Sequence, residues 1–135
     1  MRKTLTTKQK PPLQGIFTSI ILIALFSLSS FSAKAIDPPY QQDMERLTRV
    51  LGSLYFLQPL CKFNQIDWRK EANELILLDK PNNDRKQRLI GAFNQGYIDY
   101  AQSYRSCTKS ANFARQQLLL EAQTSSIQIH TKFAE

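Results

Sequence analysis

Apolar residues recur along this chain at steps of three and four from Leu47 to Ala122, the spacing that lines one face of an α-helix. Leu47, Val50, Leu51, Leu54 and Leu57 open the pattern, and the same face continues to Cys61. Pro38-Pro39 marks the start, because the second proline holds the first extended and itself suits a first helical turn. Pro59 ends this helix or kinks its last turn. A second helix opens at Asp67, a favourable cap, with Trp68, Ala72, Leu75 and Ile76 as its stripe. It stops near Asp79, since Lys80 precedes Pro81. Asn82, Asn83 and Asp84 are alternative caps for a third helix that runs to about Ser106 and buries Leu89, Phe93, Tyr97, Tyr100 and Tyr104. A fourth, opened by Thr108 or Ser110, carries Ala111, Phe113, Ala114, Leu118, Leu119 and Ala122, and Ser125 and Ser126 weaken its continuation. Strand-like alternation is no longer than Ile127-Gln128-Ile129. The pattern predicts an all-α chain folded as an up-down-up-down four-helix bundle.

Upstream of this pattern the sequence has a different character. Arg2, Lys3, Lys8 and Lys10 precede an almost wholly apolar stretch from Ile16 to Phe26, then a serine-rich segment and Ala33-Lys34-Ala35. These three parts make up a secretory signal peptide, with Ala33 and Ala35 as the small residues at the cut. The apolar core is shorter than the roughly 20 residues a bilayer span needs, so cleavage is expected rather than anchoring. The organisation predicted is a leader over 1–35, a helical domain over 36–123 and a C-terminal extension over 124–135. Periplasm or extracellular medium is the expected location.

Export changes what the charge means. The whole chain is +7, but five of its eighteen basic residues and none of its eleven acids lie in the leader, which leaves +2. So little excess charge lacks the basic footprint of a nucleic-acid binder, and no nucleic acid is expected as a partner. Nor is a stable membrane span expected after cleavage. Cys61 and Cys107 are the only cysteines, and two in a small oxidised domain predict a disulfide. It would close a loop of 46 residues, which chain entropy values at roughly 4 kcal/mol. The bridge would also bring the ends of the first and third helices together.

Particular landmarks, namely Leu51-Gly52 with Tyr55 and Leu57, Cys61, Trp68-Arg69, Phe93-Asn94-Gln95-Gly96-Tyr97, and Tyr104 before Cys107-Thr108, occur in that order. Their combination resembles small exported proteins of alphaproteobacteria that form a domain-of-unknown-function family. The resemblance covers residues 40 to 120. It implies an exported, disulfide-bonded helical domain and supplies no catalytic residue.

Sites for chemistry are few. His130 is the only histidine, far in sequence from any nucleophile, so neither a catalytic triad nor a histidine-based metal site is expected, and no cofactor is implied. Glu71 and Glu74 sit three apart beside Lys70, as solvated surface acids or, in the alternative, as a carboxylate pair acting on a sugar bond. Asp84-Arg85-Lys86-Gln87-Arg88 places three cations in a first helical turn, where the macrodipole disfavours them. An anionic ligand is one reason for that placement, and an acidic cap with solvent screening is the other. Gly96 costs roughly 1 kcal/mol against alanine inside a helix, which points to close approach of a neighbouring helix or to a groove, and Gly91 repeats the signal. Trp68, Arg69, Asn94, Gly96 and Tyr97 are the groove expected if Trp68 packs across Phe93 and Tyr97, and core packing of the rings is the competing reading.

The function expected is therefore non-catalytic recognition of an envelope protein or glycan. A glycan- or peptidoglycan-acting enzyme using Glu71, Glu74 or Asp99, or a chaperone-like periplasmic component, is the alternative.

Overall fold

The computed structural model describes residues 36–62 and 66–133, so the leader with its cut after Ala35 lies outside the described residues. Four helices follow in order, α1 (Gln41–Cys61), α2 (Trp68–Asp79), α3 (Asn83–Ser103) and α4 (Lys109–Phe133), and no strand occurs among the described residues. No described helix is long and apolar enough to cross a membrane.

Local chemistry sets the helix ends. Asp67 accepts a hydrogen bond from the Lys70 backbone N–H at 3.0 Å and caps α2 as the sequence predicts. Asn82 caps α3 by accepting from the Arg85 N–H at 2.9 Å, so the cap is not Asp84. Thr108 Oγ1 accepts from the Ala111 N–H at 3.1 Å and opens α4. Lys62 and Lys80 close α1 and α2 in the left-handed conformation, with φ of 54° and 46°. Pro59 lies within the last turn of α1 without ending the helix. Helix α3 stops at Ser103, three residues before the expected end, where Tyr104 turns extended.

The helices alternate in direction. Arg85 meets Gln41 near the starts of α3 and α1, Ser53 meets Gly96 midway, and the Cys61–Cys107 disulfide joins the far ends, so α1 and α3 are parallel. Contacts from Tyr40 to Asp79 and from Asp43 to Lys132 make α2 and α4 antiparallel to α1. This is the up-down-up-down bundle stapled by one disulfide. Its Cα atoms are 4.9 Å apart across the bridge.

Helix α1 is the axis of the bundle rather than one corner of a square. Val50, Leu51, Gly52, Ser53 and Leu54 are all buried, and a run of that length passes right round a helix of about 3.6 residues per turn. Each of the other helices packs against α1, whereas no Cα of α4 lies within 8 Å of one in α2 or α3 among the described residues. At the α1–α3 crossing backbone meets backbone. A Cβ on Gly52 would stand 1.9 Å from the Phe93 carbonyl oxygen, and one on Gly96 would stand 1.9 Å from that of Arg49. Ser53 Oγ lies 3.1 Å from both the Arg49 and Gly96 carbonyl oxygens and shares its one proton between them. Gly91 has nothing within 4 Å of such a Cβ, so its presence marks no close approach.

Helix α4 runs on through residues 124–133, where the sequence suggests a separate extension. Ala111, Leu118 and Ser125 are buried at seven-residue steps, and Ala122 and Ile129 pack against the core between and beyond them. Thr124, Ser126 and Thr131 donate to the carbonyls of Leu120, Ala122 and Ile127 one turn back, so their hydroxyls are satisfied without breaking the helix. At the end of α4, Lys132 Nζ lies 2.6 Å from Asp43 and the Phe133 ring packs 5.5 Å from that of Tyr40.

Candidate functional site

The basic run at the start of α3 is held by the fold's own carboxylates. Arg85, buried, donates through Nε to Gln41 at 2.6 Å and through Nη2 to Asp79 at 2.7 Å. Tyr40 donates to the second Asp79 oxygen at 2.9 Å. Arg88 pairs with Asp37 at 2.5 Å, with Glu45 at 3.3 Å and with Asp84. Two of the three cations that suggested an anionic ligand thus tie α3 to α1, α2 and the segment before α1. A buried charge needs such partners, since an unpaired one is costly.

Rings and cations converge at the other end, near the close of α1. Tyr55 packs against Phe93 at 5.8 Å and against Tyr97 at 6.0 Å between ring centroids, and Phe56 meets Tyr97 edge-on at 5.4 Å. The Arg69 guanidinium lies 4.8 Å from the centre of the Tyr55 ring and 5.8 Å from that of Phe93, within cation–π range. Helix α1 supplies Tyr55, α2 supplies Arg69, and α3 supplies Phe93 and Tyr97. The backbone contact at Gly52 and Gly96 is what brings α1 and α3 near enough for these rings to touch. Beside the cluster opens a groove of about 900 Å³ lined by Tyr55, Gln58, Lys62, Asp67, Arg69 and Tyr97. A smaller depression of about 90 Å³ lies on the other side of Arg69, where Asn94 and Phe93 line it with Ile76 and Ile90.

The residues expected to form one groove are therefore divided. Arg69 and Tyr97 share the large groove, Arg69 and Asn94 share the small depression, and Gly96 is sealed in the helix crossing. Tyr97, placed by its spacing on the buried face of α3, is 40 % exposed. Its place in the seam is taken by Gly96, because only a residue without a side chain fits against Arg49. Trp68 does not pack across Phe93 and Tyr97. It faces the opposite side of α2, toward Leu119 and Ala122, and the ring that spans Phe93 and Tyr97 is Tyr55. Consecutive helical residues point about 100° apart, so Trp68 and Arg69 could not both face α3. Tyr55 stood among the sequence landmarks without a role, and its four-residue step from Leu51 was the signal for one.

Other chemistry-bearing groups stand apart from this cluster. Glu71 and Glu74 are exposed on α2, and Glu74 is 3.6 Å from Lys70. Asp99 on α3 accepts from Gln95 at 2.7 Å. His130 is exposed on α4. Among the described residues no three His, Cys, Asp or Glu side chains gather closely enough to hold a metal ion. What the groove offers is aromatic surface from Tyr55 and Tyr97, the cations Lys62 and Arg69, the Asp67 carboxylate and the Gln58 amide.

Comparison with known proteins agrees with the extent of this domain. No curated protein and no solved structure gives a significant match. One family model, described as a protein of unknown function (DUF2385), matches residues 39–133. That span takes in all four helices, both cysteines and the final turns of α4. It also holds the Gly52–Gly96 crossing and the Tyr55, Arg69 and Tyr97 cluster built on it, and the chain belongs to this family of unknown function.

Proposed function

We propose that this chain is an exported, non-catalytic recognition module of the cell envelope or the extracellular medium, which meets a protein or glycan partner through the groove beside Tyr55, Arg69 and Tyr97. The observation that carries the reading is the Arg69 guanidinium stacked on Tyr55 at the mouth of an open groove of about 900 Å³. That volume falls in the range of about 300–1,000 Å³ usual for small-ligand sites. Exposed aromatic surface and arginine are also the residue types that carry most binding energy at protein interfaces. Export is supported by the three-part leader and by the disulfide, which belongs to oxidising compartments. Glu71 and Glu74 are exposed on α2, and Glu74 lies 3.6 Å from Lys70.

Photo-crosslinking in the native host tests this. A crosslinker at Tyr97 should give a discrete adduct that one at the exposed Gln116 does not, and Arg69→Ala should remove the adduct without changing the circular dichroism spectrum. Equal adducts at both positions, or an adduct indifferent to Arg69, would overturn the assignment. Turnover of labelled peptidoglycan that disappears in Glu71→Ala or Glu74→Ala would replace it with a hydrolase.

A further inference from the structure

Helices α2 and α4 both lie on α1 with no Cα of one within 8 Å of the other among the described residues, and hollows remain between their side chains, above Met44, Leu47, Leu51 and Leu54 of α1, which are themselves buried. Three adjoining hollows follow this seam. The first, about 420 Å³, lies near the disulfide end and is bordered by Leu54, Trp68, Leu119, Lys62 and Arg115. The second, about 570 Å³, has Leu47, Leu51, Leu75 and Ala122 along it and shares Trp68 with the first. The third, about 130 Å³, shares Leu75 with the second and ends at Met44, Ile129 and Phe133. The floor from Met44 to Gln58 is about 21 Å long at a helical rise of about 1.5 Å per residue.

Charge along the seam is uneven. Lys62 and Arg115 border the disulfide end. At the opposite end the carboxylate of Asp79 is held by Arg85 and Tyr40. Between them the walls are largely apolar, with Glu71 at the rim. The complement of such a seam is one unbranched apolar chain with an anionic head. An amphipathic helix of the same length and about 10 Å across would need about 1,600 Å³, more than the hollows provide, so an extended chain fits better.

We infer that the seam between α2 and α4 binds a long-chain fatty acid, with its carboxylate toward Lys62 and Arg115 and its tail past Trp68 and Leu75 toward Phe133. This site and the Tyr55 groove lie on different sides of α2 but share Gln58 and Lys62 where they meet at the close of α1, so Tyr97→Ala, which alters the groove alone, separates the two readings.

Trp68 is the only tryptophan in the chain and borders two of the three hollows, so its emission reports occupancy without a label. Palmitate titrated below its aggregation limit into the purified full chain should shift Trp68 emission to the blue and saturate. Lys62→Glu should weaken palmitate by about two- to fivefold, the scale of one exposed ion pair, and leave hexadecanol unchanged. Ala122→Phe should abolish both responses, and the exposed Ser126→Phe serves the same purpose if the first variant fails to fold. Tyr97→Ala should leave the titration untouched. No saturable shift in folded protein, equal losses for acid and alcohol in Lys62→Glu, or a shift given only by a helical peptide would each overturn the inference.

Discussion

Gly52 and Gly96 have no side chain to bury, yet the α1–α3 contact depends on both, because any Cβ there would run into a carbonyl of the facing helix at 1.9 Å. Backbone cannot move aside as a flexible side chain can. Gly52→Ala and Gly96→Ala are each expected to cost about 3 kcal/mol, the upper end of the usual overpacking range, and urea unfolding followed by circular dichroism measures it. Gly91→Ala should go the other way, gaining about 0.5–1 kcal/mol, since its Cβ meets nothing and alanine favours the helix. The sequence pattern marked Gly91 and Gly96 alike, because helix propensity is local while a close approach is set by the partner. A second residue-scale expectation concerns Tyr40. Burial, followed by its hydrogen bond to Asp79 and the charge of that carboxylate, holds its phenol above the ordinary value against a lowering by Arg85. A phenol that keeps its proton longer in the folded state stabilises that state fully below pH of about 10, and the contribution is lost as pH rises through the folded value. Stability of the native protein should therefore fall more steeply above that pH than stability of Tyr40→Phe, which paired urea melts at alkaline pH would read.

At the scale of elements, α4 shows what periodicity alone conveys and what it does not. The caps at Asp67 and Thr108, the break before Pro81 and the apolar stripes of α1 and α2 were all legible, since each is decided within a few residues. The continuation of α4 was not, because Ser125 and Ser126 read as weak helix formers. Ser125 is in fact buried in the seam against α1, where a small side chain suits the contact, and Ser126 bonds back to Ala122. The seven-residue series Ala111, Leu118, Ser125 was the available signal. Removing residues 124–135 is therefore expected to destabilise the protein by about 1–3 kcal/mol, the scale of one largely buried isoleucine side chain, because half-buried Ile129 leaves together with Lys132 and Phe133. A thermal midpoint unchanged by the truncation would contradict that. Which side of α2 faces α3 was equally illegible, since the stripe of α2 includes Trp68 but the geometry hands the α3 side to Arg69.

At the scale of the whole molecule, the disulfide closes a covalent ring of 46 residues' separation that contains α2 and α3 and leaves α4 outside. Replacing both cysteines by serine should cost about 4 kcal/mol by chain entropy, a large share of the roughly 5–15 kcal/mol available to a small domain. Denaturant titration of the paired variant, with and without reductant, measures it, and sensitivity to reductant should vanish in the variant. The hub position of α1 was not predictable from its stripe, because its neighbours come from three different stretches of chain. It follows from the unbroken burial of Val50 through Leu54, which one-sided amphipathic spacing does not describe. The meeting of Tyr40 and Phe133 has a practical corollary, for it sets the two ends of the domain side by side at the pole remote from Cys61 and Cys107. A reporter or surface tether fused to either end would leave the opposite pole, with Tyr55, Arg69 and Tyr97, pointing outward and free to be probed.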